Sequence, residues 1–374
     1  MADVKRKRVL LVVRYPVGGI RTYIKYIYQQ EIFDEFDFTV ISPDPALKSF
    51  FHDIFSERNF EYITCDDNWD LLKNIWRYTK NNNVALIHSH GFTAGSLSTV
   101  VAKFASIKHL MTAHDVFQKK QFLGFKGRIK KQLLSLLFSR IDKIHTVSFD
   151  ATNDFINFFP AVKSNKLKCI PHGIDAKLFY DSTATDLALD TEAAEACLIG
   201  FFGRFMAQKG FNYLVDAIEI IQRDKLVKRA PLVLTFDWGG FVREEYQSIE
   251  RRGLKQYFHM MQFTDDMPGV IKAVDMVAMP SLWESSGLLG MEALVSGVPI
   301  IGASCIGLRE VLSDSPAVLV PPMDAEALAK ALASEINNPR RVEFEKFSSV
   351  ARERFSLQRP STELKKLYVE LISD

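Results

Sequence analysis

Two cations and two carboxylates carry the clearest chemical signal in this chain, each placed where an apolar run gives way to a glycine-bearing turn. Arg204 follows Gly203 at the end of the run 198–202, and Lys209 precedes Gly210 and Phe211, where a helix opens. A guanidinium offers phosphate oxygens a planar fork of donors, and an ammonium offers a point charge. At the carboxyl end of a strand and beside a helix N-terminus, where free N–H groups favour an anion, such a pair suits a diphosphate. Taken alone, the pattern describes two ordinary surface cations equally well. The second element holds Glu284 and Glu292. Ser285 and Ser286 are suitable N-caps, so a helix is expected over 287–295, with Glu284 just before it and Glu292 about two turns inside. Carboxylates so placed can each grip vicinal hydroxyls, the polar handles of sugars, while first-turn N–H groups hold a phosphate between them. A cap-supporting glutamate and a solvent-facing one would give the same spacing.

Positioning these groups requires strands that end side by side. Short apolar runs at 9–13, 38–42, 85–88, 109–112, 143–147 and 167–170 alternate with amphipathic stretches, and the rhythm repeats at 198–202, 232–236, 257–261, 276–279, 299–302 and 317–320. Their hydrophobicity is continuous rather than alternating, which marks strands covered on both faces, hence parallel sheets with helices on each side. The fold class expected is α/β with two Rossmann-like, doubly wound domains facing a cleft. The boundaries expected are 1–175 for the first domain, 176–196 for a polar linker and 197–354 for the second, with a C-terminal helix at 355–374 packing back on the first.

Composition agrees with two soluble-type cores: 374 residues, 47% hydrophobic and 25% charged, with a net charge of +2 that gives no global attraction to nucleic acid. Cys65, Cys169, Cys197 and Cys305 are widely spaced and read as free thiols in a reducing compartment. No apolar run approaches the roughly 20 residues of a membrane span. Lys5-Arg6-Lys7-Arg8 before Val9 could mimic a signal peptide, but Arg14 ends the apolar run, which reads instead as a first buried strand.

With these residues in hand, the sequence resembles the retaining GT-B glycosyltransferases of the large family-4 group, also called glycosyl transferases group 1. The resemblance rests on an ordered set: Gly18-Gly19-Ile20, Thr112-Ala113-His114-Asp115, Val147-Ser148, Ile170-Pro171-His172-Gly173-Ile174-Asp175, Gly203-Arg204 with Lys209-Gly210, Glu284 with Glu292, Ser296-Gly297-Val298-Pro299, Gly307-Leu308-Arg309-Glu310 and Val320-Pro321-Pro322. It implies a role for each position. Arg204 and Lys209 would bind the donor diphosphate, Glu292 the ribose hydroxyls and Glu284 hydroxyls of the transferred sugar. Backbone groups of Gly203, Gly287, Leu288 and Leu289 would cradle phosphate and sugar, and Phe263 would lie against the base. Gly18 and Gly19 would admit backbone N–H groups to the diphosphate or acceptor, and His114 would reach the donor sugar near the reacting centre. Three departures stand out: Asp237-Trp238-Gly239-Gly240 replaces the usual G-D-G-P, His172 stands where asparagine is usual, and Ser286 stands where phenylalanine is frequent. His172 reads as a hinge residue.

The reaction so implied moves a sugar from a nucleotide-diphosphate donor, uridine favoured over guanosine, to a hydroxyl of a glycan or lipid-linked acceptor in cell-surface polysaccharide, lipopolysaccharide or glycolipid synthesis. No side chain is an evident covalent nucleophile, so front-face displacement is expected, with no cofactor. Asp265-Asp266 is not a D-x-D pair and reads as a helix cap, so no metal is expected. Rival readings are a nucleotide-sugar epimerase of the same architecture and a non-catalytic nucleotide-sugar-binding protein. The stretch 117–131 interleaves six basic residues with Phe117, Phe122, Leu123, Phe125 and Ile129. It suits an anionic membrane surface or a lipid-phosphate acceptor, and the former would place a cytoplasmic protein peripherally on the inner face. A solvated loop with inward-packed aromatics fits the same letters. Nucleic acid is not an expected partner.

Overall fold

The computed structural model describes residues 6–45, 47–55, 60–190 and 195–373. Lys5 of the basic N-terminal stretch, and 191–194 of the expected linker, lie outside them. The chain divides into two units, the first running to His172 and resuming at Leu357, the second spanning Gly173–Ser356. Within the segment expected as a linker, Ala176–Asp181 is helical, capped by Asp175.

The first unit holds a seven-stranded parallel sheet in the order β3-β2-β1-β4-β5-β6-β7. Its strands are β1 (Lys7–Val13), β2 (Phe36–Ser42), β3 (Phe60–Thr64), β4 (Leu86–His90), β5 (His109–Ala113), β6 (Lys143–Thr146) and β7 (Leu167–Cys169). Val9 to Val13 are wholly buried, as a central strand covered on both faces requires. Only β3 escapes the sequence reading. It is an edge strand whose side chains are half-exposed or exposed, so Phe-Glu-Tyr-Ile-Thr lacks the unbroken apolar run that marks a central strand. The helix Gly19–Tyr28 buries Tyr23, Ile24, Ile27 and Tyr28 on one face. The C-terminal helix Gln358–Ser373 buries Leu364, Leu367, Tyr368 and Leu371 in the same core as β1 and that helix.

The second unit holds a six-stranded parallel sheet, β10-β9-β8-β11-β12-β13. Its strands are β8 (Cys197–Gly200), β9 (Pro231–Phe236), β10 (Phe258–Met261), β11 (Met276–Met279), β12 (Ile300–Ala303) and β13 (Val318–Val320). Strand order reverses between β8 and β11, which pair directly through Met276↔Ile199 and Val277↔Gly200. Such a switch point opens a crevice at the strands' carboxyl ends.

Two sequence expectations need correction. The helix after β11 runs Leu288–Val295, and its N-cap is Gly287 in a left-handed conformation with no side-chain cap, not Ser285 or Ser286. Ser286 is instead buried in the loop before it. In 117–131, Phe117 and Phe122 do not face outward. They pack with Phe138, Phe155 and Phe159 in a buried cluster, so the inward-packed reading holds for those two residues.

Candidate active site

The switch point of the second sheet explains why Lys209 meets Glu284. The loop after β8 carries Gly203, Arg204 and Lys209; the loop after β11 carries Glu284 and Gly287. Because β8 and β11 are neighbours, the loops leave the sheet side by side. Leu282 N–H donates to the Gln208 carbonyl at 2.8 Å, and Gln208 Nε2 donates to the Trp283 carbonyl at 3.0 Å. Gly210 permits this approach, since a Cβ there would stand 2.1 Å from the Pro280 carbonyl oxygen.

Across these loops Lys209 Nζ donates to Glu284 Oε1 at 2.6 Å, and Ser281 Oγ donates to the same oxygen at 2.8 Å. The Glu284 side chain is only 9% exposed, so it needs this compensation. Both bonds fall on Oε1, which leaves Oε2 to accept from a ligand, and the ammonium keeps two further protons to donate. Arg204 lies against Gly239, where a Cβ would meet its Cγ at 2.8 Å. Phe205 N–H donates to the Gly239 carbonyl and Phe241 N–H to the Phe205 carbonyl, both at 2.7 Å. The segment that departs from the family pattern is thus a backbone clamp on the arginine loop. It also brings Trp238 beside Phe263, ring centroids 5.6 Å apart, both rings more than half exposed at the carboxyl ends of β9 and β10.

Leu288 and Leu289 open the helix after Gly287, so their N–H groups are orphan donors of its first turn. Glu292 follows one turn later. No described residue hydrogen-bonds its carboxylate, and burial pushes that carboxyl up to about 7. Some of its surface stays accessible. A half-buried carboxylate with no hydrogen-bond partner among the described residues carries a desolvation cost that a hydrogen-bond donor would relieve.

In the first unit Gly18 caps the helix Gly19–Tyr28 after β1, and His114 follows β5. His114 is buried and belongs to a cluster with His90, His172 and Tyr23; its Nε2 lies 2.9 Å from His90 Nδ1. Desolvation, reinforced by the neighbouring histidines, holds the imidazoles of His88, His90, His114 and His172 well below their ordinary range. His172 is the last residue of this unit's first segment. Gly18, Gly19 and His114 therefore belong to one unit and the remaining candidates to the other. Ser281, Gln208 and Trp238 escaped the sequence reading. Ser281 is one polar letter in an apolar stretch, whereas an aromatic at 238 in place of the usual glycine-rich turn was a signal that could have been followed. Asp266 caps the helix Met267–Ala273 by accepting from Gly269 N–H. Among the described residues no group of His, Cys, Asp or Glu is placed to hold a metal ion.

Two doubly wound parallel-sheet units, with cations and carboxylates at the switch point of the second, give the chain the architecture of GT-B glycosyltransferases. Residues 17–178 match Glycosyltransferase Family 4 and residues 196–338 match Glycosyl transferases group 1; the two spans take in most of the chain, which belongs to this family of glycosyltransferases. Among curated relatives, the alpha-maltose-1-phosphate synthase of Mycolicibacterium smegmatis is 23% identical over 270 residues, covering 68% of this chain and 69% of that protein. The lipopolysaccharide core biosynthesis mannosyltransferase LpsB of Rhizobium meliloti is 24% identical over 223 residues, covering 54% and 60%. The crystal structure of Anabaena Alr3699/HepE in complex with UDP-glucose superposes with a TM-score of 0.79 at 19% identity, covering 98% of this chain and 99% of that one.

Proposed function

We propose that this glycosyltransferase takes its sugar from a nucleotide-diphosphate donor, a uridine one in preference to a guanosine one, and transfers it with retention to a hydroxyl of a glycan or lipid-linked acceptor in cell-surface polysaccharide, lipopolysaccharide or glycolipid synthesis. The observation that carries the reading is the set of unspent polar groups around the switch point of the second sheet. These are Glu284 Oε2, two ammonium protons of Lys209, the N–H groups of Leu288 and Leu289, and the unpartnered carboxylate of Glu292. They match, in order, sugar hydroxyls, a diphosphate and a ribose. Trp238 and Phe263 offer aromatic faces for the base.

In the proposed step the acceptor oxygen bonds to the anomeric carbon on the face from which the diphosphate departs. The sugar–phosphate bond breaks, and the acceptor proton passes to the leaving phosphate oxygen. Arg204, Lys209 and the helix N–H groups neutralise the charge that develops there, which removes the need for a divalent ion. A thermal-shift screen of nucleotides and nucleotide sugars tests the donor reading: stabilisation by a nucleoside diphosphate is the expected result, and the absence of any response across the panel would contradict it.

The same reading places the enzyme peripherally on an anionic membrane through 117–131 and the rest of the helix Gly124–Phe138. In that helix only Gly127 and Phe138 are buried. Phe125, Ile129, Leu133 and Leu136 recur at helical spacing on its exposed side, beside Lys126, Arg128, Lys130 and Lys131, and the helix carries no acidic residue. An apolar stripe flanked by cations suits insertion among acidic headgroups. A groove of about 710 Å³ on the helices Asn68–Asn81 and Phe92–Ala105, lined by Trp69, Trp76 and Phe104 with Lys73, Arg77 and Lys80, offers similar chemistry. It contains none of the donor-site residues. No helix of the described residues is long and apolar enough to cross a membrane.

A further inference from the structure

Behind His114 runs a continuous buried chain of hydrogen bonds whose direction can be read from one end. His145 Nε2 lies 3.0 Å from the Ile170 carbonyl oxygen. A carbonyl only accepts, so Nε2 carries the proton, and in a neutral ring Nδ1 must then accept. Its partner at 3.0 Å is Thr112 Oγ1, which therefore donates to it. Thr112 Oγ1 is in turn 2.7 Å from His88 Nε2 and accepts from it. His88 Nδ1 is left as an acceptor, and Tyr368 OH stands 2.6 Å away. Tyr28 OH lies 2.9 Å from both Tyr368 OH and His88 Nδ1, and His90 Nε2 lies 3.2 Å from Tyr28 OH.

The two tyrosine protons decide the last links. If one tyrosine donates to His88 Nδ1 and the other tyrosine's proton lies between the two phenols, the Tyr28 oxygen still accepts from His90 Nε2–H, and all three protons of the cluster are used. If Tyr28 donates to His90 instead, Tyr368 has one proton to give, and either His88 Nδ1 or the contact between the phenols goes without. The first arrangement keeps one more bond, and buried polar groups settle into the arrangement that satisfies most of them. His90 Nδ1 then accepts, and its neighbour at 2.9 Å, His114 Nε2, must donate.

We propose that this chain, from the Ile170 carbonyl through His145, Thr112, His88, Tyr368, Tyr28 and His90, fixes His114 as the Nε2–H tautomer and leaves its Nδ1 as a lone-pair acceptor. Tyr28, Tyr368 and His90 are positioning residues. The counting requires neutral rings, and the surroundings supply that condition. The groups facing His114 are His90 from the end of β4, His172, His145 from β6 and the Tyr23 ring, none of them anionic. Burial holds His145 down to about 4 and the other rings of the chain lower than usual. A ring fixed in this way accepts a hydrogen bond from a substrate hydroxyl and cannot donate one through Nδ1. Only this consequence rests on the proposed glycosyl transfer.

The test reads the tautomer directly, without substrate. The full-length protein is labelled with 15N-histidine, and long-range 15N–1H correlation spectra are recorded between pH 6 and 8, with His114 assigned by comparison with His114→Asn. The expected pattern is a protonated Nε2 and an unprotonated Nδ1, constant across that range. In Tyr28→Phe, which removes the acceptor for His90 Nε2–H while keeping the ring, His114 should become a mixture of tautomers at unchanged fold. His90→Asn is the second variant should Tyr28→Phe not fold. An Nδ1–H tautomer in the wild type, titration of His114 between pH 6 and 8, or an unaltered tautomer in the folded variants would each overturn the proposal.

Discussion

Glu292→Gln should strengthen the fold and weaken the site at the same time. The carboxyl is lifted from 4.5 to about 7 by desolvation, with no partner to hold its charge. A carboxyl raised in the folded state opposes folding once ionised. The penalty is absent near pH 4, grows as pH rises past the unfolded value and is complete above pH 7. At about 1.36 kcal/mol for each pH unit, it reaches roughly 3 kcal/mol at pH 8, and closer to 1–3 because solvent still reaches part of the side chain. Glutamine keeps the shape and removes the charge, so the variant should gain about that much stability at pH 8 and almost none near pH 4.5. Binding should move the other way. Two ribose hydroxyls donating to a carboxylate make charge-assisted bonds of roughly 1.5–3 kcal/mol each, and even partial loss weakens nucleotide affinity at least about tenfold. Glu292→Ala should lose as much affinity. Urea unfolding at the two pH values and calorimetric titration with UDP give both quantities. No stability gain at pH 8, or unchanged nucleotide affinity in the folded variants, would refute the reasoning.

Arg204→Ala should cut turnover by about a hundredfold to a thousandfold with little effect on melting temperature, and exhaustive chelation should leave the wild type active; a chelated enzyme rescued by magnesium or manganese would contradict this. Lys209→Ala should lose turnover and also melt earlier, because Glu284 would be stranded at its bond with Ser281. The double variant Lys209→Ala/Glu284→Gln should recover the stability and not the rate, as melting scans and turnover assays would show. Gly239→Ala places a methyl against Arg204 at a backbone φ of 95°, so nucleotide affinity should fall by an amount comparable to Arg204→Ala in the same titration. Replacing Phe125 and Ile129 by serine, or raising salt, should release the protein from acidic liposomes in sedimentation; equal recovery with neutral and acidic vesicles would count against the membrane face.

Much of the architecture was legible because central parallel strands must be apolar on both faces. Each apolar run singled out in the sequence became a strand, and β3 was missed because an edge strand obeys no such demand. Arg204, Lys209, Glu284 and Glu292 could be singled out because charged letters beside glycines after an apolar run are few. The pairing of Lys209 with Glu284 was not legible, since it depends on β8 and β11 being neighbours, a fact of topology. Serine as a cap failed because Gly287 takes a left-handed conformation that serine adopts less readily. His114 stood out in the sequence only through its motif. Only the fold shows that His145, His88, His90 and His114 are linked through Thr112 and through two tyrosines drawn from opposite ends of the chain.

The central claim, that the chain breaks the bond between a sugar and its nucleoside diphosphate at the Arg204 and Lys209 loop, is tested most directly by proton NMR of a panel of nucleotide sugars incubated with the wild type and Arg204→Ala. The account predicts that one class of donor, uridine-linked first, releases its nucleoside diphosphate slowly to water, that the sugar first appears in the donor's own anomeric configuration, and that Arg204→Ala slows the release by about a hundredfold or more. Release of a sugar epimer, equal rates in the two proteins, or binding of nucleotide sugars with none ever consumed would contradict it.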